Sequence, residues 1–136
     1  MLFRSPGGIF VTIDFQLYVA DAGNNRIQRF LQGQFNGTTV AGIEAPGTIT
    51  LWYPTGVVLD GNGYLFIADT KNNRIVRSGP GGFQCVCACT DTGGSALTQL
   101  NSPTAMAFDS FGNVFVVDDG NSRIQKFLLV NNTCGK

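Results

Sequence analysis

The sequence predicts an all-β fold assembled from about three four-stranded antiparallel sheets packed face to face. Three observations carry that prediction. A ten-residue segment, Tyr18-Val19-Ala20-Asp21-Ala22-Gly23-Asn24-Asn25-Arg26-Ile27, returns as Phe66-Ile67-Ala68-Asp69-Thr70-Lys71-Asn72-Asn73-Arg74-Ile75 and again as Phe115-Val116-Val117-Asp118-Asp119-Gly120-Asn121-Ser122-Arg123-Ile124. Its aspartates, Asp21, Asp69 and Asp118, are spaced 48 and 49 residues apart, and a period near fifty residues with strand-like content indicates radial or solenoid β architecture. The apolar runs 17–20, 65–68 and 114–117 show no polar alternation, as expected of strands buried on both faces. Finally, turn residues punctuate every unit and no sustained helical periodicity competes.

The elements follow in order within each repeat. Pro6, Pro54 and Pro103 each stand fifteen residues before the motif aspartate, and the first strands 8–11, 56–59 and 105–108 come soon after them. The turns Asp60-Gly61-Asn62-Gly63 and Asp109-Ser110-Phe111-Gly112 are rich in residues that tolerate positive φ, as tight hairpins require. The apolar second strand leads into the motif. A third strand covers 26–30, 74–77 and 123–127, and a fourth covers 38–41 and 85–89. Four short strands joined by such turns form one antiparallel meander per repeat. Meanders buried on both faces pack radially, so each repeat is expected to be one blade of a β-propeller.

The repeats divide the chain into 6–53, 54–102 and 103–136, a single domain whose third repeat stops where its fourth strand is due. Closed propellers have about four to eight blades. The expectation is therefore an open arc, a fragment of a longer ring. The alternative is that copies self-associate through the open blade edges, which leave apolar faces and unpaired strands exposed.

Pro-x-Gly followed by a hydrophobic residue, a strand, and Ala-Asp-x-x-Asn-Asn-Arg-Ile resembles the NHL repeat. The residues that carry the likeness are Asn24-Asn25-Arg26, Asn72-Asn73-Arg74 and Asn121-Ser122-Arg123, without the histidine of the family's name, and the three copies span essentially the whole chain. The resemblance implies a six-bladed propeller. It also implies binding of proteins or RNA, while related propellers carry lyase or hydrolase chemistry.

Composition narrows the functional classes. Nine basic residues balance nine acidic ones, so no long-range field recruits nucleic acid or an anionic membrane. Arg26, Arg29, Arg74, Arg77, Arg123 and Lys126 occupy repeat-equivalent strand positions and are expected to pair with the motif aspartates or nearby loops. RNA recognition needs a basic face with stacking aromatics, so nucleic acid is not the expected partner. No apolar run is long enough to span a bilayer. Met1-Leu2-Phe3-Arg4 does not read as a signal peptide, because a charge and Pro6 interrupt it.

Cysteine usage points to compartment. Cys85, Cys87 and Cys89 alternate, so on a regular strand their side chains share one face. Two residues span about 6.6 Å of strand, near the upper Cα–Cα limit for a disulfide. Each is therefore expected to pair across to a neighbouring strand or blade, and Cys134, at the Cys85-equivalent position, with a partner beyond residue 136. A zinc site with poor tetrahedral closure and buried free thiols are the alternatives. Asn36-Gly37-Thr38 and Asn131-Asn132-Thr133 are glycosylation sequons. With the cysteines they favour an extracellular, secreted setting.

Catalytic signals are absent from the sequence. It contains no histidine, so it supplies no Ser-His-Asp triad, His base or His-ligated metal. Asp60-Gly61-Asn62-Gly63 resembles the start of a calcium loop, but Lys71 stands where a bidentate glutamate is needed. No metal or other cofactor is expected. The motif residues Asp21, Arg26, Asp69, Arg74, Asp118 and Arg123 read as fold determinants. Binding is expected on the loops after each second strand and between blades, with Asn24, Asn25, Trp52, Tyr53, Lys71, Asn72, Asn73, Asp119 and Asn121 as candidates. Trp52 and Tyr53 are either packed between blades or, if exposed, contact anchors. The resulting expectation is a non-catalytic binding scaffold for a protein or peptide. A propeller enzyme of lactonase, lyase or hydrolase type with its catalytic residues in other blades, and an RNA-binding NHL domain, are the alternatives.

Overall fold

Among the described residues, twelve strands build three four-stranded antiparallel sheets. The structure, a computed structural model, describes residues 2–90, 92–130 and 133–135. The first blade comprises β1 (Pro6–Val11), β2 (Leu17–Asp21), β3 (Arg26–Phe30) and β4 (Thr38–Gly42). The second comprises β5 (Gly56–Leu59), β6 (Leu65–Asp69), β7 (Arg74–Arg77) and β8 (Gln84–Cys87). The third comprises β9 (Pro103–Phe108), β10 (Val114–Asp118), β11 (Arg123–Val130) and β12 (Thr133–Gly135). Each sheet is a simple meander in chain order.

The sheets are arranged radially. The innermost strands β1, β5 and β9 lie against one another in sequence. The Gly8 amide donates to the Thr55 carbonyl at 2.6 Å, and the Thr55 hydroxyl donates to the Thr104 carbonyl at 3.0 Å. A glycine is needed at this hub: a Cβ on Gly56 would lie 2.8 Å from the Thr104 oxygen. The chain is thus a three-blade arc of a β-propeller, as the period and the doubly apolar second strands predict.

Two apolar cores fill the spaces between blades. Tyr18, Ala20 and Ile27 of the first blade meet Val57, Leu65, Ile67 and Val76 of the second. Phe66, Ala68 and Ile75 on the other face of the second blade meet Met106, Val114 and Val116 of the third. Fully burying a side chain such as Phe66 or Ile67 stabilises the fold by about 1.5–3 kcal/mol. The outer faces differ. On the third blade Phe115 and Ile124 are 36% and 62% exposed, whereas their repeat equivalents Phe66 and Ile75 are 1% and 0% exposed. The first blade's outer face is partly covered: the Phe3 ring stands edge-on to Phe30, and Gly37 in the β3–β4 connection packs on Phe30 and Gln28.

The structure corrects several expectations. The third sheet does have a fourth strand, because β12 pairs with β11 from Leu128↔Gly135 to Val130↔Thr133. The cysteines of β8 do not share a face. A bulge opposite Ile75/Val76 puts two residues against one, so Cys85 pairs with Val76 and Cys87 with Ile75, and their side chains join opposite cores. Ala88 then takes φ 57° and turns the chain out of the strand, which brings Cys89 back to Cys85 as a local disulfide with Cα atoms 5.9 Å apart. Cys134 pairs within the chain, with Cys87, and ties the third blade to the second. All four cysteines are therefore in disulfides, and neither zinc nor free thiols use them. Asn36 is exposed in the β3–β4 connection; Asn131 lies outside the described residues.

Candidate functional site

The repeated motif folds the same way three times. After each second strand comes a single 3-10 turn, over Ala22–Asn24, Thr70–Asn72 and Asp119–Asn121, closed by Asn25, Asn73 or Ser122 in the left-handed region. The strand and turn pattern of the sequence does not predict these turns. They are too short for helical periodicity, and the one available signal is the pair of asparagines, which tolerate positive φ.

The motif carboxylates are wholly buried and fully engaged. Asp69 Oδ1 accepts from the Trp52 amide at 2.7 Å, while Oδ2 accepts from Asn72 Nδ2 and Arg74 Nε, both at 2.8 Å. Asp21 does the same with the Arg4 amide, Asn24 and Arg26, and Asp118 with the Asn101 amide, Asn121 and Arg123. Burial opposes ionisation of Asp21, but bonds from Asn24, the Arg4 amide and Arg26 outweigh it and hold the carboxyl below the ordinary carboxylate range. At Asp118 burial is likewise outweighed, by the Asn101 amide, Asn121 and Arg123. Each aspartate thus fastens the strand-connecting loop to the segment that enters its blade.

The other cations divide by position. Arg74 also donates to the Thr50 carbonyl at 2.9 Å, Arg26 pairs with Glu44, and Arg123 donates to the carbonyls of Ser95, Ala96 and Gln99. Arg77 and Lys126 pair with the turn residues Asp60 and Asp109.

Several candidate binding residues are held by the framework. Asn24, Asn72 and Asn121 are donors to the motif aspartates. Asn25 and Asn73 accept from the backbone of the next blade's entry, at Tyr53 and Ser102, each at 2.8 Å. Asp119 is exposed beside the open face of the third blade. Trp52 and Lys71 are also exposed, and they stand together on one face of the second blade. Trp52 is 54% exposed, so it is not packed between blades; Leu51 beside it, 4% exposed, takes that place. The Lys71 ammonium sits 4.6 Å from the Tyr53 ring centroid and 5.9 Å from that of Trp52. The Lys71 amide donates to the Trp52 carbonyl at 3.1 Å, joining the two loops.

Beside them lies an open cavity of about 490 Å³, bounded by Trp52, Lys71, Asn72, Asn73, Arg74 and the Cys85–Cys89 disulfide. Its charged groups are cationic, and its aromatic wall is mounted on backbone that Asp69 and Asn25 clamp. The arrangement suits a ligand that combines an acceptor or carboxylate with an apolar or aromatic group. Among the described residues no cluster of His, Cys, Asp and Glu is arranged to hold a metal, and no helix is long and apolar enough to cross a membrane.

Comparison with known proteins bears on the fold. Residues 51–77 match the family described as NHL repeat. A structural genomics protein of unknown function from Bacteroides thetaiotaomicron superposes with a TM-score of 0.74 at 16% identity, over 87% of this chain and 34% of that one. The virginiamycin B lyase from Staphylococcus aureus gives 0.61 at 15% identity, over 93% of this chain and 42% of that one. An auxiliary nutrient binding protein from Bacteroides ovatus gives 0.67 at 18% identity, over 87% and 36%. The chain therefore spans between 34% and 42% of the length of these structures. No curated protein matches it in sequence. Residues 51–77 match the NHL repeat, and three in-phase copies of the ten-residue motif build three blades of a β-propeller.

Proposed function

We propose that this chain is a non-catalytic binding scaffold that presents the Trp52–Lys71 face to an extracellular protein or peptide ligand. The single observation that carries the reading is the pairing of an exposed indole with an adjacent ammonium over a cavity, on loops whose backbone is already fixed. Exposed aromatics on rigid supports make strong contact anchors because little conformational entropy is lost on binding. The three motif carboxylates, the obvious candidates for acid–base chemistry, are each held by an amide, an asparagine and an arginine. This favours binding over catalysis. Two disulfides and an exposed sequon at Asn36 support an oxidising, secreted setting with a glycan at that position.

Trp52 is the only tryptophan, so its emission reports the site directly. The test selects peptides from a random display library on the wild-type chain and counter-screens them on Trp52→Ala and Lys71→Ala. The expected result is a set of peptides with acidic and aromatic residues that shift Trp52 emission and lose at least tenfold in affinity on either variant. Selected peptides that bind all three proteins equally would overturn the reading.

A further inference from the structure

The opposite end of the blades, where each first strand turns into the second, breaks the internal symmetry at one point. In the second and third blades that turn begins with an aspartate. Asp60 Oδ1 accepts from the amides of Asn62 and Tyr64, and Asp109 Oδ1 from those of Phe111 and Asn113, all at 2.9 Å. The second oxygen faces the third-strand cation: Asp60 Oδ2 lies 3.4 Å from Arg77 Nη2, and Asp109 Oδ2, which also accepts from Asn113 Nδ2 at 2.9 Å, lies 3.7 Å from Lys126 Nζ. The first blade has Thr12 in that place. Its Oγ1 accepts the Gln16 amide at 2.9 Å and so reproduces the turn, but a hydroxyl has no second oxygen to offer. Asp14 does not replace it, because its oxygens take the Thr12 hydroxyl and Gln16 Nε2.

Arg29, the equivalent of Arg77 and Lys126, is left without a carboxylate. Arg77 also stacks on the Tyr64 ring at 4.4 Å, and the first blade has Gln16 at the Tyr64 position. Among the described residues the Arg29 side chain has no ion-pair or hydrogen-bond partner, and its Nε is sealed from solvent without an acceptor. The Nε of Arg77 is sealed in the same way, but Arg77 has its ion pair. Arg29 lines a cavity of about 570 Å³ between the first and second blades, whose apolar wall includes Phe10, Val11, Tyr18 and Leu59. Asp14 and Asp60 stand on the same rim, each already bonded within its own turn.

We propose that this cavity binds a small organic monocarboxylate, whose carboxylate takes the place that Asp60 Oδ2 and Asp109 Oδ2 occupy in the other blades. The guanidinium presents a planar fork that matches a carboxylate, and the cavity falls in the size range of small-molecule sites. The two rim carboxylates favour a single negative charge over a polyanion. The site lies at the other end of the blades from Trp52 and does not depend on the function proposed above.

The test titrates the isotope-labelled chain with benzoate, cyclohexanecarboxylate and hexanoate, reading the Arg29 Nε–H resonance, with benzamide as the neutral isostere. The expected result is a saturable shift with at least one carboxylate, and binding at least tenfold weaker for benzamide. Thr12→Asp installs the internal carboxylate of the other blades and should abolish the shift with the fold intact. Arg29→Gln should abolish saturable shifts of the surrounding amides. No saturable shift with any of the three, equal binding of benzamide, or undiminished binding by Thr12→Asp would each overturn the proposal.

Discussion

Asn73 Oδ1 accepts a hydrogen bond from the Ser102 amide at 2.8 Å, 29 positions along the chain. Asn73 closes the 3-10 turn of the second blade with φ 53°, while Ser102 precedes the first strand of the third. One side chain therefore satisfies a left-handed backbone position and clamps two blades together. Asn25 and the Tyr53 amide repeat the relationship one blade earlier. In the third copy Ser122 stands in the asparagine's place.

Asn73→Gly keeps the left-handed backbone and removes the acceptor. It is expected to cost about 1 kcal/mol in urea unfolding, whereas Asn73→Asp, which retains the oxygen, should cost less. Equal stability of Asn73→Gly and wild type would mean that the clamp contributes nothing.

Stability should fall with acid. The carboxyls of Asp21 and Asp118 lie below their ordinary value of 3.8 in the folded state, so between the folded and unfolded values the native state binds fewer protons. Their contribution is fully present above the unfolded value and is lost as pH falls through the folded one. Denaturation midpoints should therefore be flat near neutral pH and drop below about pH 4. Asp21→Asn and Asp118→Asn should be less stable at neutral pH and lose less on acidification.

Phe15 carries avoidable strain. It adopts φ 62° where Gly63 and Gly112 stand in the equivalent turns at 81° and 84°, and 64% of its surface is exposed. A bulky residue in the left-handed region costs about 1–2 kcal/mol, and glycine returns part of that through the entropy of the unfolded chain. Phe15→Gly should raise stability by roughly 0.5–1 kcal/mol, seen as a higher melting temperature. A lower one would mean that the ring makes contacts worth more than the strain.

The two disulfides should contribute unequally. Cys87–Cys134 closes a separation of 47 residues and Cys85–Cys89 one of 4. Loop-closure entropy gives about 4 kcal/mol for the first and about 2 kcal/mol for the second. Cys87→Ala with Cys134→Ala should release the third blade first, detected as early loss of amide protection in β9–β11. Cys85→Ala with Cys89→Ala should leave that protection in place.

Much of the fold is legible because its signals are local and repeated. The strands 26–30, 56–59 and 74–77 fall where the repeat places them, since an apolar run between turn residues needs no distant information to be recognised. The structural role of Asp21, Asp69 and Asp118 is legible for the same reason: three equivalent copies indicate a need of every blade. Cysteine pairing was not legible. It depends on the bulge opposite Val76 and on the left-handed Ala88, and strand alternation alone put Cys85 and Cys87 on one face. The exposure of Trp52 was open for a similar reason, because Leu51 and Trp52 compete for one buried place and only packing chooses between them.

By itself the sequence determined the period, the strand order within each blade, the turn chemistry and the residues that hold each motif together. These follow from short-range backbone preferences and from the burial that a doubly apolar strand demands. Tertiary structure alone decided which cysteines meet, which aromatic faces water, and that Arg29 lacks the carboxylate its counterparts have. Those outcomes depend on distances between side chains far apart in the chain, and a single bulge or a threonine in place of an aspartate redirects them without altering the repeat.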